Sequence, residues 1–581
     1  MRHTAFLGLL LAVGLPIGAQ QIGMRNPAWL RQALFYQIYP SSFMDSDGNG
    51  IGDLPGIISR LDYVERLGVN AIWLNPCYES GWVDGGYDVI DFYKVDPRFG
   101  TNSDLKRLVD EAHKRGIKVC LDLVAGHSSN RCEWFLKSSC GDRNDHFSDY
   151  YIWTDTIPES ERRIIEERKK TSDPQAGTFG NFVEADAPRG KYYQKNYYPC
   201  QPAFNYGYAH PVHSWEQPVT APGPQAMRRE LRNIMAFWFD KGVDGFRVDM
   251  APWLVKNDPN WTETKKLWQE IRSWVSHYYP DRVLISEWGS PKDAIPAGFD
   301  IDFMLHTGVQ GYETLFFARD TPWGKPMPLS PNANKSNYEY CYFDKSSKGS
   351  LDTFVKNYTD CLLHTRQQGY IAIPTSNHDF QRPNVGTRNS VGQLRVAMTF
   401  FLTMPGIPFI YYGDEIGMKY QTGLPDKEGS SVRAGSRTPM QWAPGPTAGF
   451  SSCNPTSLYL PVDTEGGRIT VAEEENDPQS ILNYTRRLIG LRKAMPALGN
   501  TAEWELVSSL RQPYPMVYRR RGGGQTCIVA INPSDKKVEA VLPHMANKVK
   551  LLIVTGKGKY ACGRYDRITL YPESAAVFKV M

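Results

Sequence analysis

The stretch GFRVD (245–249), with ISEWG (285–289) close behind it, decides the fold of this 581-residue chain. Each is a short, largely apolar run that ends on a carboxylate or just beyond one, and a helical pattern lies between them. Continuous runs of this length suit strands buried on both faces, as in a parallel sheet covered by helices. Runs of the same kind stand at 33–39, 71–75, 118–124, 301–305, 370–375 and 407–412, with helical patterns at 54–67 and 105–115. Eight strands alternating with helices predict an α/β fold, a (β/α)8 TIM barrel. About 120 residues separate the third strand from the fourth, far more than a βα loop needs. They are rich in Tyr, Asn, Asp and Pro, with a charged helix near 159–170, and predict a subdomain inserted over the barrel mouth.

From about residue 500 the pattern changes. Short alternating runs at 504–507, 516–519, 526–532, 537–542, 548–554 and 575–580 predict a C-terminal antiparallel β-sandwich. The expected division is a leader over 1–19, barrel over 24–127, insertion over 128–212, barrel again over 213–498 and sandwich over 499–581. The leader reading rests on Arg2 and His3, the apolar run 5–15 and the small pair Gly18-Ala19. It implies export, to a periplasm or an extracellular space. A second apolar run, 396–412, is broken by Pro405-Gly406 and Pro408, so no membrane span is expected after the leader.

The formal charge of +4 is spread without a basic block, which argues against a nucleic-acid partner. Aromatic residues reach 12%, with 15 Trp and 32 Tyr, enough for a large core or for faces that stack on sugar rings. Ten cysteines are too few for a disulfide scaffold. Cys132 with Cys140, or Cys527 with Cys562, are candidate pairs, with buried free thiols the equal alternative.

In such a barrel the working residues sit at the C-terminal ends of the strands. Those ends present Asp122 and His127, then Arg247 and Asp249, then Glu287, then His378 and Asp379. Clustered carboxylates repel and push their pKa values apart, which acid/base chemistry requires.

Read together, DLVAGHSS (122–129), GFRVD (245–249), ISEWG (285–289) and TSNHD (375–379) resemble glycoside hydrolase family 13, the α-amylase family. DGGYD (84–88), FIYYGDE (409–415) and RTPMQW (437–442) are similar to its α-glucosidase, oligo-1,6-glucosidase and trehalose synthase branch. The resemblance implies Asp249 as nucleophile, Glu287 as general acid/base and Asp379 as the third carboxylate of a retaining double displacement. It further implies that Arg247 aims the nucleophile, that His127 and His378 donate to sugar hydroxyls, and that Tyr87 stacks beneath the first sugar. Asp84 and Arg437 stand where the branch closes its pocket around a terminal glucose, which favours exo-cleavage.

The loop DSDGNGIGD (45–53) offers Asp45, Asp47, Asn49 and Asp53, plus the Ile51 carbonyl, at EF-hand-like spacing but without the bidentate Glu at loop position 12. The resemblance implies a structural Ca²⁺ or Mg²⁺ there. Gly126 and Ala203 replace residues of the family's other calcium site. Met250 leaves α-1,4 and α-1,6 preference open, and 250–253, MAPW, keeps a maltose–trehalose isomerase or glucosyl-transferring reading alive beside the α-glucosidase and endo-amylase ones. The expected partner is an α-glucan oligosaccharide.

Overall fold

The computed structural model describes residues 26–171, 177–304, 311–317, 339–366, 368–463, 469–541, 549–559 and 567–581. The leader and Cys562 lie outside the described residues. Phe35–Ile38, Ala71–Leu74, Lys118–Leu123, Gly245–Val248, Val283–Ser286, Ile301–Phe303, Tyr370–Pro374 and Ile407–Tyr411 are the barrel strands. They pair in parallel, in chain order, and the eighth closes on the first. All eight expected strands are present.

Alternation along each strand divides the core. Phe35, Trp73, Ile285, Phe303, Ala372 and Phe409 point inward and fill the barrel. Tyr36, Ile72, Leu74, Phe246, Leu284 and Ile371 belong to the outer cluster with the helices. Phe35 and Phe409 stack at 4.3 Å, and Phe303 meets Phe409 edge-on at 4.8 Å. Gly245 has no room for a side chain, because a Cβ there would lie 2.4 Å from Val283 Cγ2. The top of this filling is Trp73, whose ring lies 5.9 Å from His378. The packed interior is therefore also the floor of the mouth.

Between the third and fourth strands stands a three-stranded sheet of Trp153–Thr154, Gly190–Gln194 and Phe182–Ala187, flanked by the helix Glu159–Lys169. Isolated bridges His127↔Ala203 and Tyr208↔Lys256 stitch this region to the barrel. The C-terminal part has a five-stranded and a three-stranded antiparallel sheet. Ile568 and Leu570 of the smaller pack against Val517, Ile528, Ala576 and Phe578 of the larger, giving the expected two layers.

One cysteine pair is corrected. Cys132 and Cys140 are free thiols. They flank the helix Glu133–Ser139, so they stand about 12 Å apart along its axis. A disulfide spans at most roughly 7 Å between Cα atoms. No helix among the described residues is long and apolar enough to cross a membrane. If the inner aromatic stack carries the barrel, Phe409→Ala should destabilise it by about 3–5 kcal/mol in denaturant titration. A loss under about 1 kcal/mol would show that the stack is not essential.

Candidate active site

The mouth is organised by Arg247, a fully buried guanidinium on the fourth strand. Its Nη1 donates to Asp122 Oδ1 at 2.7 Å, to Asp249 Oδ1 at 3.0 Å and to the Tyr87 hydroxyl at 3.2 Å. Its Nη2 lies 2.7 Å from Glu287 Oε2. The same Glu287 oxygen accepts the Met250 backbone N–H at 2.9 Å. Met250 takes a left-handed conformation, φ 45°, to aim that N–H. Such a φ is uncommon outside glycine, and here it sits one residue past the candidate nucleophile.

Burial pushes the Asp249 carboxyl well above its ordinary range. Arg247 pulls it back, and the charges of Glu287 and Asp122 push it up again. Burial likewise lifts Asp122 to about 6, against Arg247 and the Tyr87 hydroxyl. Asp249 and Asp122 thus retain protons at pH values where isolated carboxyls would have lost them.

Asp379 behaves in the opposite way. Burial would raise it, but His378, Arg433, Arg437 and Arg247 hold it well below the carboxylate range. Arg433 Nη1 reaches Asp379 Oδ1 at 3.2 Å and Arg437 Nη2 reaches it at 3.0 Å. Arg433 Nη2 also grips Asp84 Oδ1 at 2.9 Å, while the Gln201 amide donates to Asp84 Oδ2 at 2.8 Å. Asp84 and Arg437 are therefore joined through Arg433 and Asp379 rather than to each other. Asp88 sets this loop by accepting the N–H groups of Val83 and Asp84, while Gly85 and Gly86 supply the positive φ values.

The two histidines are fixed differently from a free sugar donor. His378 Nδ1 accepts from the Gln37 amide at 3.0 Å, which leaves the proton on Nε2, 2.7 Å from the Tyr87 hydroxyl. Its ring stacks on Tyr87 at 5.5 Å. Burial holds His378 well below the usual imidazole range, against the pull of Asp379, so the ring is neutral. Tyr87 and His378 thus form one rigid platform. His127 uses both ring nitrogens within the protein: Nδ1 accepts from Asn196 at 2.8 Å and Nε2 donates to the Tyr87 carbonyl at 3.1 Å. Burial lowers its pKa to about 3. A Cβ on Gly126 would meet the Asn196 amide at 2.5 Å, so the missing side chain makes room for that contact.

Sequence reading missed Arg433, Gln201, Asn196 and Gln37. Arg433 lies four residues before Arg437 on the 3-10 turn Ser431–Ser436, so an arginine at that spacing was the available signal. Apart from this mouth, the carboxylate oxygens of Asp45, Asp47 and Asp53 lie within 4.8 Å of one another. Asp45 accepts the N–H groups of Gly48 and Gly50, and Asn49 Oδ1 accepts that of Ile51, so the loop is also an Asx-turn array.

The sequence profile of a family described as alpha amylase, catalytic domain, matches residues 37–501. The chain is 32% identical over 562 residues to the trehalose synthase/amylase TreS of Mycobacterium tuberculosis, covering 90% of this chain and 85% of that one. It is 30% identical over 599 residues to an oligo-1,6-glucosidase of Parageobacillus thermoglucosidasius, covering 95% and 99%. Among solved structures, isomaltulose synthase from Erwinia rhapontici NX5 superposes with a TM-score of 0.77 at 25% identity, covering 95% of this chain and 99% of that one.

Removing Arg433 takes the guanidinium from Asp84 and leaves Asp379 with Arg437. Arg433→Ala should raise KM by about tenfold or more, since a buried charge loses its partner. Asp379 is depressed, so its stabilising contribution is present above the unfolded value near 3.9 and is lost as pH falls below it. With Arg433 gone the folded value moves up, so the contribution is smaller and wholly lost at a higher pH, and the acid-unfolding midpoint should rise. An unchanged KM together with an unchanged midpoint would mean the pair does no more than fill space.

Proposed function

The chain belongs to the alpha-amylase family of glycoside hydrolases, family 13, and we propose on that footing that it is a retaining, exo-acting α-glucosidase cutting α-1,4 or α-1,6 bonds of malto- or isomalto-oligosaccharides. One observation carries the reading. A single guanidinium reaches both Asp249 and Glu287 from its two ends, which favours the close carboxyl spacing of retaining enzymes, about 5–5.5 Å, over the wider inverting one. The Asp84–Arg433–Asp379–Arg437 chain supports the exo preference as a wall of paired charge that also presents hydrogen-bonding groups to a terminal sugar.

In the first step Asp249 attacks the anomeric carbon while Glu287 gives its proton to the departing glycosidic oxygen. In the second, Glu287 takes a proton from water, which displaces Asp249 and restores the anomeric configuration. The first step requires the proton on Glu287 and the charge on Asp249; the second starts with Glu287 ionised and Asp249 held as the glucosyl ester. Arg247 supplies the bias at the nucleophile, and a glycosidic oxygen arriving at Glu287 gives that proton its destination. Asp379, held ionised, accepts hydroxyl hydrogens of the sugar and favours a distorted ring.

A second reading, isomerisation of maltose and trehalose, is supported by the relatives named trehalose synthase and by one feature of the structure. A cavity of about 440 Å³ lies beside Met250, lined by Gln194, Asn196, Trp253 and Lys256. Its lining begins one residue past Asp249 and offers polar groups and the Trp253 ring to a released glucose. Product analysis at high maltose decides between the two: glucose as the main product fits the hydrolase, and lasting trehalose with little glucose fits the isomerase. Asp249→Asn should lower either activity by roughly 10⁴-fold or more. Full activity in that variant would remove the nucleophile assignment.

The Asp45–Asp53 loop is proposed to hold a structural Ca²⁺ or Mg²⁺ through Asp45, Asp47, Asn49, Asp53 and the Ile51 carbonyl. Its fit rests on the donor chemistry: converging hard oxygens suit such an ion, and Asp47 is raised by burial and by the charges of Asp45 and Asp53. The ion would pin the loop and take no part in the displacement. Chelation should then lower the thermal midpoint, and added Ca²⁺ at 100 times its Kd should restore about 2.7 kcal/mol. A midpoint indifferent to both would leave the loop a metal-free turn. The proposed export is checked by the N-terminus of secreted protein, expected to begin just past Ala19 and refuted by an intact leader.

A further inference from the structure

Glu287 faces the mouth, and the residue before it faces the other way. On the fifth strand Ser286 points into the layer between barrel and helices, where the register sets it beside Asp302 of the sixth strand. The Ser286 hydroxyl donates to Asp302 Oδ1 at 2.6 Å. The backbone N–H of Trp288 donates to the same oxygen at 3.0 Å. One carboxylate oxygen therefore holds the residues on both sides of Glu287.

Asp302 is an expensive choice for this position. It is 0% exposed, and its other oxygen, Oδ2, has no hydrogen-bond partner among the described residues. A buried carboxyl with an unmet oxygen destabilises a fold that an apolar side chain would fill more cheaply. Burial pushes its pKa up to about 7, against the Ser286 hydroxyl and the N–H groups of Trp288, Gly289 and Phe303. The barrel ladder ends at Glu287, whose backbone N–H donates to the Val248 carbonyl at 3.0 Å. Trp288 is then steadied by edge-on packing against Trp261 at 5.6 Å and Phe299 at 6.3 Å, and by the bond to Asp302. Ring packing fixes a side chain and the Val248 bond holds the N–H of Glu287; the Asp302 bond fixes the peptide that follows it.

We infer that Asp302 is a positioning residue for Glu287, which by pinning Ser286 and Trp288 sets the direction in which the acid meets the glycosidic oxygen. Asp302 touches neither substrate nor reacting atoms. The inference rests on the reading of Glu287 as general acid/base given above.

The consequence is selective. A sugar leaving group departs as a poor alkoxide and needs the proton from Glu287, whereas a dinitrophenolate departs without it. The experiment compares kcat/KM for maltose and for 2,4-dinitrophenyl α-glucoside in full-length wild type, Asp302→Val, Asp302→Asn and Glu287→Gln. Asp302→Val should lose about 10- to 100-fold on maltose, carried by kcat with KM unchanged, and less than about threefold on the aryl glucoside. Asp302→Asn keeps a carbonyl oxygen for both donors and should recover most of the maltose activity. Equal losses on both substrates, or a loss carried by KM, would overturn the inference. Should Asp302→Val not fold, Ser286→Ala takes its place: a smaller loss confined to maltose supports the inference, and an unchanged or equal effect contradicts it. Glu287→Gln separates the two levels of the account. If it too loses both substrates equally, the acid assignment itself falls; if it is selective and Asp302→Val is not, only the positioning role falls.

Discussion

Five acidic side chains meet three guanidiniums in one largely buried mouth, and that imbalance shapes everything around it. Asp84, Asp122, Asp249, Glu287 and Asp379 are met by Arg247, Arg433 and Arg437. Fully ionised, the mouth would carry two negative charges over. The structure resolves the excess unevenly. Around Asp379 three arginines and His378 win, and the carboxylate stays charged. Around Asp249 and Asp122 burial and mutual repulsion win, and protons are retained. One carboxylate is thus held ionised, while Asp249, the nucleophile of the proposed displacement, has to give up a proton before it can attack.

The rest of the fold keeps these charges from relaxing. Trp73, the uppermost ring of the barrel filling, donates to Asp122 Oδ2 at 3.1 Å and lies 5.2 Å below the Arg247 guanidinium. Tyr87 is held through its hydroxyl by Asn75, Asp122, His378 and Arg247. The inserted subdomain contributes Gln201 to Asp84 and Asn196 to His127, so it reaches the mouth directly. Side chains locked in this way need little reorganisation when charge develops, which is where preorganised sites gain most.

Much of this was legible in the sequence because it is local. Apolar runs of strand length, each ending near a charged residue, gave all eight barrel strands and brought Asp122, Arg247, Asp249, Glu287, His378 and Asp379 to one end of the barrel. The unread parts are those in which partners are distant along the chain. Arg433 and Asp84 are 349 residues apart, and neither motif names the other. Asn196 and His127 are 69 residues apart, and only the absent side chain at Gly126 hinted that something else fills that space. The sheet of the inserted subdomain was missed because Trp153–Thr154 has two residues, Gly190–Gln194 has adjacent tyrosines without alternation, and Phe182–Ala187 alternates mainly small alanines with acids. The high aromatic content likewise divides only in three dimensions, between barrel filling such as Phe409 and the platform of Tyr87.

The central claim is that Asp249 forms a covalent bond to the glucosyl group and leaves with retention. The most direct measurement is to trap the intermediate with a fluorinated α-glucosyl fluoride, map the labelled peptide by mass spectrometry and follow the first-formed product by NMR. The account requires the label on Asp249 and glucose released as the α-anomer. A label on another carboxylate, or β-glucose as the first product, would contradict it.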